Sequence, residues 1–164
     1  MQTDRLLILT VCLLLACKGT PGSSVADHKA LAERFFRGVY GCEPSVVAEL
    51  GTENVFITYP IIEELFGTPA LRGRDKVEQF ATGFCNRWKD AEVTIHEAVA
   101  EGDRVVLVWE FAARNVASGE RRSWGGISLF RFDSAGRIVA EIGEESEPGP
   151  IGRLARSPAA GGQQ

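Results

Sequence analysis

The chain has 164 residues, of which 45% are hydrophobic and 24% are charged, a composition typical of one globular domain with short extensions at its ends. Its formal charge is −4. No run of Lys or Arg is long enough to neutralise a series of phosphates, so the composition argues against a nucleic-acid partner.

The N-terminus has the pattern of a secretory leader. One Arg precedes an apolar run at 6–16, which is shorter than the roughly 20 residues that span a bilayer. The letters LLAC, ending at Cys17, resemble the bacterial lipobox, in which the cysteine is acylated and becomes the mature N-terminus. Residues 1–17 are therefore predicted to be a signal peptide with a lipobox. Ordinary cleavage after Ala26 and an uncleaved buried helix are the alternatives.

This leader predicts an exported protein of the bacterial cell envelope, whose membrane contact is limited to a lipid anchor on Cys17. Residues 18–26 are rich in Gly, Ser and Pro, which do not nucleate a core, so they are predicted to be a flexible tether. The folded domain is expected over 27–146. The tail at 147–164 is rich in Pro, Gly and Ala without periodicity and is predicted to be disordered.

Three helices are predicted in the first half of the domain. The segment DHKALAERFFRGVYG has apolar residues at spacings of three and four, with Asp27 placed to cap its start and Gly41 where it ends. EPSVVAELG is a shorter helix, with Pro44 in its first turn and Gly51 after it. GRDKVEQFATGFCNRW again places its apolar residues on one face.

A short strand, VFITY, lies between the second and third of these helices. Four more strands follow, and they are EVTIHEAVA, DRVVLVWEFAARNV, RSWGGISLFRF and GRIVAEIGEE. Turns rich in Gly, Asp and Ser join them into an antiparallel meander. Helices on one face of a curved antiparallel sheet make an α+β domain.

This element order, with LRGRDKVEQF, VAEGDRVVLVWEF and GGISLFRFDSAGRIV in register, resembles the nuclear transport factor 2-like superfamily. The similarity is greatest to its ketosteroid-isomerase-like and SnoaL-like polyketide-cyclase members, and it covers roughly residues 28–145. The resemblance implies a cone, in which the curved sheet wraps around the three helices. The open end of such a cone is a pocket for small, often apolar molecules.

The resemblance also implies three polar positions for catalysis. Ketosteroid isomerases use a carboxylate base before a proline, a tyrosine on the first helix and a protonated aspartate on a late strand. The matching positions here are Tyr59, Phe35 and Ser128. A tyrosine of ordinary pKa is a poor base at neutral pH. Phe35 has no proton to donate, and Ser128 is a weaker donor than a carboxylic acid, so classical steroid isomerisation is not expected.

The segment IIEEL after Pro60 offers another acid or base. Glu63 or Glu64 would serve if either carboxylate were buried over the pocket mouth, since burial raises its pKa toward neutrality. A solvated pair in a loop is the alternative. Glu63, Glu64 and Tyr59 are thus the candidate catalytic residues.

A set of mostly aromatic side chains is expected to line the pocket. Its members are Phe35, Tyr59, Phe84, Trp88, Trp109, Trp124 and Ser128. Flat rings suit a ligand that carries rings itself. The alternative for each tryptophan is to fill the core or a dimer face.

Cys42 and Cys85 remain in the mature domain, and an exported compartment permits them to pair, but the sequence leaves the pairing open. There is no CxxC motif, and with two histidines in the chain neither a metal site nor another cofactor is expected.

The sequence thus predicts an exported cone that binds a small, largely apolar molecule. Two other functions are considered. The first is a cyclase or isomerase with a rearranged acid/base set. The second is an interaction module that forms a homodimer through the outer face of its sheet.

Overall fold

A computed structural model describes residues 24–156 as a sheet of six strands with five helices. The helices are α1 (Val25–Tyr40), α2 (Val46–Leu50), α3 (Pro60–Phe66), α4 (Arg74–Arg87) and α5 (Pro150–Arg156). The strands are β1 (Gly51–Thr58), β2 (Leu71–Arg72), β3 (Trp88–Glu101), β4 (Arg104–Asn115), β5 (Arg121–Phe132) and β6 (Ile138–Ser146). The predicted leader, most of the tether and the lipidation residue Cys17 lie outside the described residues.

The sheet order is β2-β1-β6-β5-β4-β3. The four strands β3 to β6 form the predicted antiparallel meander. The sheet as a whole is mixed rather than purely antiparallel, because β1 pairs in parallel with β6. The α+β fold is confirmed. The strand β1 joins the sheet by pairing with β6, although the two strands are far apart in the chain.

The helices cover the concave face of the sheet, and the core lies between them. On β4 every second side chain is buried against the helices, and these are Val105, Leu107, Trp109, Phe111 and Ala113. Phe35, Phe36 and Val39 of α1 fill the space opposite. This alternation is what a strand with one buried face requires.

The first helix begins three residues earlier than a cap at Asp27 predicts. Ser24 is the N-cap, and its side chain accepts a hydrogen bond from the backbone N–H of Asp27, while Asp27 accepts one from the backbone of Ser24. This reciprocal pair is a capping box, which satisfies two otherwise free donors. Asp27 therefore stabilises the first turn from inside the helix rather than capping it.

Two helices are additions to the prediction. The segment expected to be a loop around Glu63 and Glu64 is α3, which starts at Pro60 and ends at Gly67 in a left-handed conformation. Proline is favoured in a first helical turn and glycine at such an end. The tail was predicted to be disordered from residue 147, but 150–156 forms α5. Residues 157–164 lie outside the described part of the chain.

Cys42 and Cys85 form a disulfide, with 5.4 Å between their Cα atoms. It ties the end of α1 to α4 and closes a loop of 43 residues. A loop of that length corresponds to about 4 kcal/mol of stabilisation in the chain-entropy account. The helix that carries Phe80 and Phe84 is thereby fixed to the first helix.

On the outer face of the sheet, Val99, Ile127 and Ile142 are exposed. The homodimer through this face stays a prediction. No helix within residues 24–156 is long and apolar enough to cross a membrane.

Candidate functional site

The open end of the cone holds a cavity of about 770 Å³. Its apolar walls come from α3, α4, β2, β3 and β5, and the residues are Ile61, Leu65, Phe66, Leu71, Phe80, Phe84, Trp88 and Trp124. Five charged side chains also line the cavity, and they are Lys76, Arg87, Arg122, Glu145 and Glu147. The cavity is of the size that binds small organic molecules.

A second, much smaller void of about 30 Å³ lies deeper in the cone. Tyr40, Tyr59 and Trp109 line it together with further aromatic rings. Its volume is sufficient for a single water molecule or one polar atom of a ligand. The cone therefore has an outer chamber and an inner one.

Four side chains line both chambers and separate them. They are Phe80, Phe84, Trp124 and Glu145. Phe111, which lines the inner chamber, packs against this partition. Its ring centroid lies 5.1 Å from that of Phe84 and 4.6 Å from that of Trp124. A ligand in the outer chamber would thus contact aromatic faces and one carboxyl group.

A buried carboxyl group, Glu141 of β6, lies at the closed end of the cone and is 0% exposed. The Tyr59 hydroxyl donates a hydrogen bond of 2.5 Å to its Oε1, and the Tyr40 hydroxyl donates one of 3.2 Å to the same atom. The other oxygen, Oε2, is buried and has no hydrogen-bond partner among residues 24–156. Both tyrosines thus serve one carboxylate oxygen.

A series of hydrogen bonds runs from Trp109 through Ser128 and Tyr59 to Glu141, and each group donates to the next. Trp109 can only donate, and its Nε1 lies 2.8 Å from Oγ of Ser128. The Ser128 hydroxyl lies 2.6 Å from Tyr59 Oη. Since the Tyr59 proton is directed to Glu141, Ser128 donates to Tyr59. Every donor in the series therefore supports negative charge on Glu141.

Local backbone explains how Tyr59 reaches this position. Val55 and Ile57 point inward on β1, and Tyr59, in extended conformation directly after the strand, continues this alternation. Pro60 then begins α3, because proline cannot donate to a ladder. The Tyr59 ring packs directly against Gly143 of β6, where any Cβ would overlap its atoms. Glycine at 143 is therefore required for the tyrosine to reach Glu141.

Burial raises the pKa of Glu141 from 4.5 to about 7, while the hydrogen bonds from Tyr59 and Tyr40 oppose that rise and the charge of Glu145 adds to it. The pKa values of both tyrosines are raised well above 10 by burial and by the neighbouring Glu141. Both tyrosines therefore remain protonated donors at neutral pH, whereas Glu141 is divided between its two forms.

Glu145 lies four residues after Glu141 on the inner side of β6. Its carboxyl group lines both chambers. It is half-buried, and burial raises its pKa. A hydrogen bond from Trp124 opposes this rise, and the charge of Glu144 adds to it. A carboxyl group with a raised pKa at the wall of a cavity is suited to proton transfer.

The structure brings most of the expected pocket residues together. Trp88 lines the outer chamber, Tyr59 and Trp109 the inner one, and Phe84 and Trp124 both. Two expected residues do not line either chamber. Phe35 is buried in the core against Phe130, with 6.1 Å between ring centroids, and Ser128 is enclosed in the hydrogen-bond series.

Glu63 and Glu64 are not placed over the pocket. Both are exposed on α3, because Ile62 faces the core and Ile61 and Leu65 face the cavity. The apolar spacing of the helix directs the two carboxylates to solvent. Tyr59 is at the site, as a hydrogen-bond donor to Glu141.

Sequence reasoning missed three polar groups of the candidate site, Tyr40, Glu141 and Glu145. Pairing between β5 and β6 shifts by one residue at Val139, so Ile138 faces inward and so do Glu141, Gly143 and Glu145. A bulge of this kind inverts the alternation of side chains. The available signal was a glutamate inside the apolar run IVAEIG.

No group of three His, Cys, Asp or Glu side chains within the described chain is arranged to hold a metal ion. The polar groups around the inner chamber are hydroxyl, indole and carboxyl groups, whose chemistry is hydrogen bonding and proton transfer.

Residues 32–141 match the SnoaL-like domain family. Three solved structures share the fold. A candidate SnoaL-like polyketide cyclase from Jannaschia sp. CCS1 is 16% identical, with a TM-score of 0.64, over 84% of this chain and 96% of that one. A Catenulispora acidiphila protein with a ketosteroid isomerase-like fold, in complex with trimethylamine, is 14% identical, with a TM-score of 0.59, over 69% and 82%.

The third is an epoxide hydrolase/cyclase-like enzyme with a role in pyran ring formation in the polyether salinomycin. It is 16% identical, with a TM-score of 0.61, over 74% of this chain and 92% of that one. A comparison with curated proteins finds no match. At these identities the structural similarity defines the fold and leaves the chemistry to the residues of the site.

We expect Glu141→Gln to remove a pH dependence of stability. The folded pKa of Glu141 is about 7 and its ordinary value is 4.5, so the folded state binds the extra proton and wild-type stability falls as pH rises between these values. Ionisation of Glu141 thus lowers the free energy of unfolding of the wild type by about 3 kcal/mol in total. Chemical denaturation from pH 4 to 9 should show the variant matching wild type near pH 4.5 and exceeding it above pH 7.

Glu144→Gln is the matched control, because Glu144 is exposed on the same strand. It should keep the wild-type pH dependence. Parallel pH profiles for wild type and Glu141→Gln would contradict the assignment.

Proposed function

The chain belongs to the SnoaL-like domain family, and we propose that it binds a small, largely apolar, ring-bearing molecule in the outer chamber of its cone. The observation that carries this proposal is the cavity of about 770 Å³ with an aromatic wall. Trp88 and Trp124 have ring centroids 5.0 Å apart and are both half-buried, so each can present part of its surface to a ligand.

The mouth of the cavity supports the same proposal. Leu65 and Phe66 of α3 are 46% and 51% exposed, although both line the cavity. Burial of apolar surface is favourable by about 25 cal/mol per Å², so covering these side chains with a ligand would contribute to binding. Clusters of exposed apolar side chains often mark binding sites.

Export is part of the proposal. The leader with Cys17 predicts a lipid-anchored protein of the bacterial cell envelope, and the disulfide between Cys42 and Cys85 is what an oxidising compartment allows. A cone displayed on a membrane would meet apolar molecules that partition between membrane and solvent. The lipid anchor is then the membrane contact, and the cavity is left free for the ligand.

A second candidate is an enzyme of the cyclase or isomerase kind, and Glu145 is the observation that favours it. Its carboxyl group contacts both chambers and its pKa is raised by burial. Tyr40 and Tyr59 line the inner chamber, where a ligand carbonyl would lie beside their side chains, while their hydroxyl protons are directed to Glu141. Glu145 would move a proton on a carbon next to that carbonyl.

The binding proposal predicts that Gly83→Leu blocks the ligand. Gly83 lines the cavity, and a Cβ there meets no atom within 4 Å, so a leucine would extend into the cavity without strain. Thermal unfolding against a panel of ring compounds should reveal a wild-type binder, since ligand at 100 times its dissociation constant stabilises by about 2.7 kcal/mol. The variant should be at least as stable as wild type and lose the ligand-induced shift.

Thr82→Leu adds the same side chain at an exposed neighbouring position outside the cavity lining and should keep the shift. A shift of equal size in Gly83→Leu would place the ligand elsewhere. The absence of any binder across a broad panel would contradict the proposal.

The catalytic candidate predicts hydrogen–deuterium exchange at the carbon next to the carbonyl of a bound ketone, followed by proton NMR in D₂O. Glu145→Gln should slow the exchange by about 10² to 10⁴ while the thermal shift remains. Glu63→Gln, at an exposed position outside the cavity lining, should leave the exchange at the wild-type rate. Undiminished exchange in Glu145→Gln would exclude Glu145 as the acid/base group.

A further inference from the structure

The charged side chains around the cavity are not balanced. Three cations and two carboxyl groups line it, in a chain whose net charge is −4. Arg122 is paired with Glu147. Within residues 24–156 the structure records no ion pair for Arg87 or Lys76. The cavity therefore carries positive charge that the protein itself does not neutralise.

Arg87 is the cation next to the aromatic wall. It is the last residue of α4 and directly precedes Trp88, while Arg122 lies two residues before Trp124 on β5. Because the two indoles are in contact, both guanidinium groups belong to the same end of the cavity. A ring held on the indoles would place a substituent within reach of Arg87.

Lys76 lies at the other end. It is eleven positions before Arg87 on α4, which corresponds to about 16 Å along a helix axis. Lys76 also lines a second depression beside β2, formed in part by Thr68 and Pro69. The two cations approach the cavity from opposite ends of α4, so their contributions can be separated by substitution.

We propose that the ligand is an amphipathic anion, whose ring system packs on Trp88 and Trp124 and whose carboxylate or other acidic group binds Arg87. This inference rests on the proposed function and adds the charge of the ligand. A planar guanidinium binds a carboxylate through two parallel hydrogen bonds, which gives orientation as well as affinity. Glu145, on the adjacent strand, limits how deep the acidic group can enter.

The test uses calorimetric titration of the wild-type protein with three naphthalenes of similar size. They are 2-naphthoate, 2-naphthylmethanol and 2-naphthylmethylammonium. The carboxylate should bind roughly tenfold more tightly than the alcohol, a moderate gain because Arg87 is solvent-exposed. The ammonium compound should bind most weakly, and added salt should reduce the preference for the carboxylate.

Arg87→Gln should abolish the preference for 2-naphthoate over 2-naphthylmethanol. Lys76→Gln is the control within the cavity, and Arg131→Gln, an exposed residue outside the cavity lining, controls for net charge. Both should keep the preference. If Arg87→Gln does not fold, the wild-type comparison of acid and alcohol still decides the ligand charge.

Equal affinity of the carboxylate and the alcohol would overturn the anion inference and leave the binding proposal intact. A preference that survives in Arg87→Gln but disappears in Lys76→Gln would also overturn it. Failure of all three naphthalenes to bind would count against the proposed function itself.

Discussion

The carboxyl group of Glu141 is enclosed at the closed end of the cone, and hydrogen bonds from Tyr59 and Tyr40 hold it there. These two donors come from the start of α3 and the end of α1, while Glu141 belongs to β6. One buried group therefore connects both helices to the sheet. The fit of Tyr59 against Gly143 and the supporting contacts of Ser128 and Trp109 all depend on its position.

Stability alone does not account for this network. Apolar side chains of equal size are often as stabilising as a buried ionisable cluster, or more so. Glu141 also retains an oxygen without a partner in the described chain, which adds to the cost of its burial. The position of the network supports a functional reason, because its tyrosines form the wall of the inner chamber. We infer that the cone combines a polar floor with an apolar mouth.

The partition between the chambers relates this floor to a ligand. Phe80 and Phe84 belong to α4, which the disulfide at Cys85 fixes to α1, whereas Trp124 and Glu145 belong to the sheet. The aromatic wall is therefore formed where a fixed helix meets the strands. A polar group of the ligand would therefore find few partners in the outer chamber, mainly the cations at its mouth and Glu145.

Periodicity predicted the elements whose pattern is local. The helices around Phe35 and Phe84 and the four strands of the meander follow from apolar spacing and turn residues. The parallel pairing of β1 with β6 could not be found in this way, because its partners lie 84 to 87 residues apart. The bulge at Val139 reversed the faces of β6, so a strand that reads as apolar inside carries Glu141 and Glu145 on its inner side.

The same limit applies to the site. The aromatic residues Trp88, Trp109 and Trp124 could be predicted by type, since large rings in a small domain must pack together. The carboxyl groups could not, because their environment is created by strands that meet only in the fold. Glu63 and Glu64 lie close to Tyr59 in sequence, but the helical repeat of α3 turns them to solvent.

The most direct test of this account is a carbon-13 NMR titration of the glutamate side-chain carboxyls, with the Glu141 resonance assigned by its absence in Glu141→Gln. The account predicts a midpoint near pH 7, because burial raises the pKa of Glu141 to about 7 in spite of two tyrosine donors. A midpoint near the ordinary value of 4.5 would mean that the carboxyl is solvated. The buried polar floor, and the role assigned to it, would then be contradicted.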